Sequence, residues 1–549
     1  MSCYYIGKEV SISMKKELLI LQAVWGVLSS TSFRLLRFSS LITILLLLSC
    51  GKDGSVSPMG EKPDEDTTVV RRYGVRWQTD NPYDLGERCF DAVGLGARFG
   101  IGEREGYSDF DNIYPWSEIR RCNVRQEGGR AVVVYDDDPD FRIDGTGGDV
   151  FVRIPKFYVE KYQEDGYEYR VVSARGEHLH PAFIENGEEL DAIYVGAFEG
   201  SVGSDGLLHS VAGVIPTSNI TAQEFLDAAQ RRGPGYSLYD MRTVDMLFSL
   251  IAVEYGCRNT GVIFGHGIAD YRQPIEQQWD IDRRYYSRKD EQGVNTITCG
   301  LQPRPLISVG SCVCVCQGNQ RSILTFARCT DIQVKDRETT YTFDGPPIDI
   351  TTDCFIGNCA QSTNWTETCS APYHGATGRA NMIEQSLMPE ERNPMRYRWI
   401  ENVMGNIWHF LPDITFKDGR MYVCSDMTHY RFGCSDGAYE AYGPSFMPND
   451  NNDVWLDEPY VNDWVTSLMS DEDYKGISFG DAFDRSLTST AAFGAYYYAK
   501  KEGLYIAVNG GGFDHRFRCN LLTTRARVEL TYRWHLYGAR LLFKDITKE

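Results

Sequence analysis

The sequence predicts an α+β protein, and three observations carry that expectation. Two stretches have helical spacing and helical ends: residues 222–231, headed by Thr221 with Glu224 three positions on, and residues 241–255, closed by Gly256. Short strand-like runs bounded by Gly, Asn, Asp and Pro fill most of the rest, among them 131–135, 150–158, 167–172, 193–198, 504–508 and 537–543. A chain of 549 residues is too long for one ordinary core, so two domains or one large elaborated domain is expected, with a small β-rich domain or subdomain at 73–149 ahead of a main domain at 150–549.

Composition narrows the function classes. Charged residues are 24% and hydrophobic ones 42%, which is globular rather than disordered. The formal net charge of -20 argues against nucleic acid as a partner, because phosphate binding needs a cationic surface. Aromatic residues reach 13%, a level that suits a recognition surface or a large β core.

The chain starts with an export pattern. An apolar run at 41–48 follows Arg34 and Arg37 and ends Leu47-Leu48-Ser49-Cys50-Gly51. It is short for a spanning helix. A second apolar stretch at 18–27 lies ahead of it, so the translation start is expected further downstream. Cys50 after Leu-Leu-Ser resembles the bacterial lipobox, which implies a lipidated Cys50 as the mature N-terminus and residues 1–50 as signal segment. The alternatives are an uncleaved anchor or a buried helix. Residues 51–72 hold Pro58, Gly60, Pro63 and the acidic run 64–66, and read as a flexible tether. Lys52-Asp53 resembles signals that send lipoproteins of some Gram-negative bacteria to the cell surface, implying an outer-membrane, lipid-anchored location.

In the β-rich segment, 131–135 is a solid strand and Cys89 and Cys122 are candidates to pair. Thr221 and Glu224 form a capping box for the first helix, and Leu247, Leu250 and Ile251 mark the core face of the second. A Cys-rich insertion spans about 258–380. Setting aside Cys3 and Cys50 leaves 14 of the 16 cysteines in the exported part, an even number that suggests disulfides. Cys312, Cys314 and Cys316 alternate, so on a strand they share one face and do not readily pair with each other. The Cys-x2-Cys spacing usual for zinc is absent there. Cys354, Cys359 and Cys369, in a loop rich in Gly, Asn and Thr, are the better disulfide candidates.

Signals for chemistry are few. His178 and His180 are two apart, a spacing found in metal sites but more often in a strand with one His buried and one at the surface. No Gly-x-Ser-x-Gly, P-loop or His-Glu-x-x-His is present. The acidic runs 136–138 and 450–453 read as solvated turns or as oxygen ligands for a structural calcium; no other cofactor is expected.

The C-terminal stretch is distinctive. A strand at 504–508 runs into Gly510, Gly511 and Gly512, and a strand at 537–543 closes the segment. Between them, 513–536 mixes Arg, His, Tyr, Trp and Thr with little periodicity, which fits a binding surface better than a core. An exposed hairpin without a ligand is the plainer reading. GLYIAVNGGGF followed by YGARLLF resembles the end of the C-type-lectin-like domains of the variable proteins of diversity-generating retroelements, and is similar to the wider formylglycine-generating-enzyme-like group. RWIENVMGNIWHFLPD at 398–413 resembles the core motif of that group, and 220–256 resembles its helical part. The block from YGVRW at 73–77 to CNV at 122–124 resembles the N-terminal part of phage-tail-associated and cell-surface relatives.

The resemblance implies a C-type-lectin-like fold and a protein that binds a glycan or protein of a cell or phage surface. Asn406, Trp408, Gly511 and Gly512 then belong to the structural motif. The exchanged positions fall within 513–536, so His515, Phe517, Arg518, Asn520, Thr523, Arg525, Arg527, Tyr532, Arg533, Trp534 and His535 are the expected ligand-binding surface residues. Five arginines replace the Asn, Ser and Tyr that typical relatives carry there, so a fixed rather than a diversifying surface fits too. The enzymes of the group work through paired cysteines near the C-terminus. Here Cys519 is the last cysteine and the one before it is the distant Cys434, so a binding module is expected rather than an enzyme. The rivals are an exported enzyme of that group and a structural or adhesion-filament component.

Overall fold

The computed structural model describes residues 70–98, 106–265, 267, 285–301, 307, 312–318, 322–358, 395–443, 460–469, 475–500, 502–512, 515, 518–546. The expected signal segment 1–50 with Cys50 and most of the expected tether 51–72 lie outside these residues, as do Cys359, Cys369, Phe517 and the acidic run 450–453. The described part holds 34 strands and three α-helices: α1 (Ala222–Gln230), α2 (Met241–Tyr255) and α3 (Thr260–Phe264). The expected α+β class is therefore corrected to a β-rich fold, whose largest sheet curls into a half barrel. The reason is non-local pairing. Stretches with weak local patterning between 408 and 484 are all recruited as strands of one sheet.

The helices follow their local signals. The Thr221 hydroxyl accepts from the Glu224 N–H, and the Glu224 carboxylate accepts from the Thr221 N–H at 2.7 Å, closing the capping box. Asp240 caps α2 by accepting from the Thr243 N–H at 2.8 Å, and Gly256 ends it in the left-handed conformation at φ 64°. Residues 241–254 are all buried, so α2 is a central helix and its polar side chains need internal partners. Asp245 accepts from Arg170 at 2.9 Å and meets His180 at 3.0 Å, and Glu254 accepts from Arg398 and Tyr397 at 2.8 Å. His178 is exposed and His180 fully buried, the division expected of that pair. Burial pulls the His180 imidazole below its ordinary range.

The largest sheet runs Tyr439–Tyr442, Arg420–Cys424, Trp408–Lys417, Leu504–Asn509, Thr524–Val528, Tyr496–Lys500, Tyr460–Leu468, Gly480–Asp484. Tyr537–Gly538 adds to it parallel to Trp408–Lys417. A six-stranded sheet joins Leu541–Phe543 to Ala192–Gly196, Asp149–Pro155, Arg120–Glu127 and Arg130–Tyr135, with Tyr236–Leu238 at one edge. A four-stranded sheet pairs Arg72–Gln78 with Tyr167–Ser173. Strands on both sides of residue 149 thus share two sheets and one core, so the boundary expected between 73–149 and 150–549 does not separate two bodies. Among the described residues, strands between 296 and 358 form a five-stranded sheet with a small core around Ile297, Val315, Tyr341 and Ile356.

Cys89 and Cys122 do not pair. They sit in different sheets, and both are buried free thiols, as are Cys299, Cys329, Cys354 and Cys424. No helix among the described residues is long and apolar enough to cross a membrane.

Candidate ligand-binding face

The site begins with alternation. Along Thr524–Val528, Thr524, Ala526 and Val528 are buried, while Arg525 and Arg527 turn the other way and stay half-buried. This strand pairs parallel to Tyr496–Lys500, placing Tyr498 opposite Arg525. Tyr496 is in turn opposite Trp464 across the next pairing. The same alternation puts Tyr496 and Tyr498 on the arginine side and sends Tyr497 to the far face, against Phe479 and Phe483.

The arginine side is paved with rings. Trp464 meets Tyr496 at 5.0 Å, Tyr496 meets Tyr498 at 4.8 Å, and Trp408 lies edge-on to Tyr498 at 6.2 Å and to His515 at 4.9 Å. Three guanidiniums stand over this pavement. Arg518 is 4.6 Å from the centre of Tyr496, and Arg527 is 5.2 Å from Tyr498. Arg525 lies 5.8 Å from Tyr537 and 5.9 Å from Trp534. The Arg525 side chain makes no hydrogen bond or ion pair among the described residues, and its Nε is buried without a partner. The outer rim is Tyr532, which is 39% exposed and perpendicular to Trp534, and Arg533, which reaches the Glu224 carboxylate at 2.9 Å. Burial raises the Tyr496 and Tyr498 hydroxyls above their ordinary range, so both stay neutral.

His515, Arg518, Arg525, Arg527, Tyr532, Arg533 and Trp534 thus lie at least partly open on or beside one face. Three other expected surface residues are corrected. Asn520 is fully buried: its amide donates to the Phe493 carbonyl at 3.0 Å, and its carbonyl accepts from the Leu522 N–H. Thr523 is fully buried: its hydroxyl donates to the Arg518 carbonyl at 2.7 Å and accepts from the Tyr496 N–H. His535 is buried beside Trp534. These polar side chains hold the loop in shape by satisfying backbone groups that would otherwise be orphaned.

The expected structural motif is built as one knot. The Gly405 N–H donates to the Gly510 carbonyl at 3.0 Å, tying the two glycine-bearing loops together. A Cβ on Gly512 would lie 3.0 Å from the fully buried Trp408 ring. Asn406, in the left-handed region at φ 59°, donates to the buried carboxylate of Glu199, and Asn402 donates to the same oxygen at 3.1 Å. The sequence reading missed Glu199, because its isolated position among apolar residues gives no local signal. It missed Arg540 as well, whose buried guanidinium donates to the carbonyls of Gly196, Glu401 and Asn402. It also passed over Tyr496, Tyr498 and Trp464, although three successive tyrosines on a strand place two on one face. Cys519 is fully buried with its thiol donating to the Gly512 carbonyl at 3.2 Å.

Among the described residues, no group of three or more His, Cys, Asp or Glu converges as metal ligands do. Asp136 and Asp137 in the first acidic run reach Arg120 instead. No protein-family model matches the sequence, and no curated protein matches it.

Proposed function

We propose that this protein is a lipid-anchored surface protein that binds a glycan or protein ligand through the aromatic and arginine face around Arg525. The observation that carries the reading is Arg525 itself. A half-buried guanidinium without an acidic or carbonyl partner forfeits hydration and gains little in return. Its planar fork of donors fits a carboxylate or another planar acceptor from outside the chain. Trp534 and Tyr532 beside it supply stacking area of the kind that dominates recognition energetics, and the fully buried Tyr537 backs the guanidinium from within. The face sits on a sheet anchored by the Trp408 knot, so its side chains are held on a rigid support. Export and anchoring rest on the run that ends at Cys50 and on the tether after it.

The test is to screen the detergent-solubilised full-length protein on glycan and surface-protein arrays beside its Arg525→Ser and Trp534→Ser variants. The reading expects a ligand that wild type retains and both folded variants lose. A ligand retained equally by all three would move the binding site elsewhere.

A further inference from the structure

A second candidate site shares no lining residue with the face around Arg525 and does not depend on it. Between the turn that follows Arg72–Gln78 and the strand Gly480–Asp484 there is a cavity of about 630 Å³, lined by Thr79, Pro82, Arg258, Thr466, Phe483 and Ser486. Arg258 is the buried charged residue of its lining. It is 2% exposed, held by its backbone N–H on the Leu85 carbonyl at 2.7 Å. Its guanidinium is sandwiched in apolar company, 5.7 Å from the Trp77 ring centre and 5.2 Å from that of Phe493. One of its donors reaches the Asn81 carbonyl at 2.9 Å, while Nε is buried with no partner. No carboxylate among the described residues is within ion-pair distance of it. Burial pulls its pKa down to about 10, against the opposing pull of the more distant Glu168 and Asp84.

The other charges at the cavity are mostly engaged. Arg485 pairs with Asp463 at 3.2 Å. One oxygen of Asp484 accepts from both the N–H and the hydroxyl of Ser486 at 2.7 Å, which holds this carboxylate below its ordinary range. Asp80 is exposed at the mouth. What is left inside is one buried cation short of an acceptor, the Thr466 hydroxyl, and the apolar surfaces of Phe483 and Pro82.

We infer that this cavity is a binding site for the oxyanion of a small molecule, a carboxylate or a phosphate ester, with the anion on Arg258 and the apolar part against Phe483. Arginine binds such groups through paired donors, and a cation already stripped of water and walled by rings binds them more tightly than a hydrated one. The Thr466 hydroxyl supplies a further donor at the same volume, while the hydroxyls of Thr79 and Ser486 already donate to the Gly166 carbonyl and the Asp484 carboxylate.

The test follows thermal melts of the full-length protein across separate concentration series of sodium acetate, sodium phosphate and sodium sulfate, each against sodium chloride at matched ionic strength. At least one oxyanion should raise Tm in a saturable way beyond chloride, because binding to the folded state alone stabilises it by mass action. Acetate acting alone would identify a carboxylate ligand, and phosphate acting alone a phosphate ester. Two variants localise the effect. Thr466→Trp fills the cavity from a half-exposed position and leaves Arg258 in place; Arg258→Lys keeps the charge but loses the planar fork. Each should raise the half-saturating concentration about tenfold or more. If Arg258→Lys does not fold, Thr466→Trp decides. The inference is overturned if no oxyanion exceeds chloride with wild type, or if Thr466→Trp responds as wild type does.

Discussion

Gly511 lies directly against Cys519: at φ +86°, a Cβ on Gly511 would fall 2.6 Å from the Cys519 Sγ and 2.9 Å from its Cα. The second of these atoms is backbone, so no rotamer change relieves the clash. Gly511→Val combines a left-handed φ with overpacking, and should destabilise the protein by about 2–4 kcal/mol. Cys519→Ala in the same chain should recover only part of that, since the backbone of residue 519 still stands in the way. Denaturant melts of the single and double variants read both effects. A Gly511→Val protein as stable as wild type would contradict the packing.

Trp408 carries the support beneath the proposed ligand face. It is fully buried, edge-on to Tyr498 and His515, with Gly512 against one edge. Trp408→Ala should cost about 3–5 kcal/mol, the loss expected for emptying a large aromatic site. Because Tyr498 and His515 lose a neighbour, ligand capture should fall even at temperatures where the variant is folded. A variant that melts with wild type would place Trp408 outside the core.

What was legible in the sequence was what is locally determined. Thr221 and Glu224 bond each other within one turn, and Gly256 stops α2 by its own φ, so both helix ends could be read directly. The fold class could not, because strand identity in the largest sheet depends on partners far away: Trp408–Lys417 pairs with Leu504–Asn509, and Thr524–Val528 with Tyr496–Lys500. The same distance effect misplaced part of the face. Arg525 and Arg527 could be picked out by residue type within the loop. Asn520 and Thr523 look like surface residues until Phe493 and Tyr496 are folded against them. Glu199, whose partners are Asn402, Asn406 and His409, could be found only in three dimensions.

Asp413 makes stability depend on pH. It is fully buried, accepts the Met241 N–H at 2.9 Å through one oxygen, and leaves the other without a partner. Burial, then the neighbouring Asp240, holds its carboxyl well above the ordinary value of 3.8. Between the unfolded and folded values the folded chain holds the extra proton, so this group's contribution falls as pH rises through that window. Asp413→Asn keeps the shape and cannot ionise. Its effect on Tm relative to wild type should therefore be more favourable at about pH 8 than at about pH 5. Melting curves that stay parallel between wild type and variant over that range would show that Asp413 is already ionised when folded.

Arg525 separates a recognition residue from a packing residue. Its rings lie 5.8 and 5.9 Å away, near the outer limit of about 6 Å for a useful cation–π contact. It has no hydrogen bond or ion pair to lose, and removing it relieves an uncompensated charge. Arg525→Ser should therefore leave stability within about 0.5 kcal/mol of wild type. Thr523→Ala should behave oppositely, because it orphans the Tyr496 N–H and the Arg518 carbonyl inside the core, a loss of about 1–3 kcal/mol. On a ligand retained by wild type, Arg525→Ser should weaken binding at least about tenfold, the share expected of a central arginine in a recognition patch. Arg525→Lys should restore little, since a point charge does not replace the planar fork. Thermal melts and binding to the same immobilised ligand separate the outcomes. If Arg525→Ser unfolds the protein, the guanidinium has a packing role and the proposed face loses its central residue. If it folds and binds as wild type does, recognition runs through other residues.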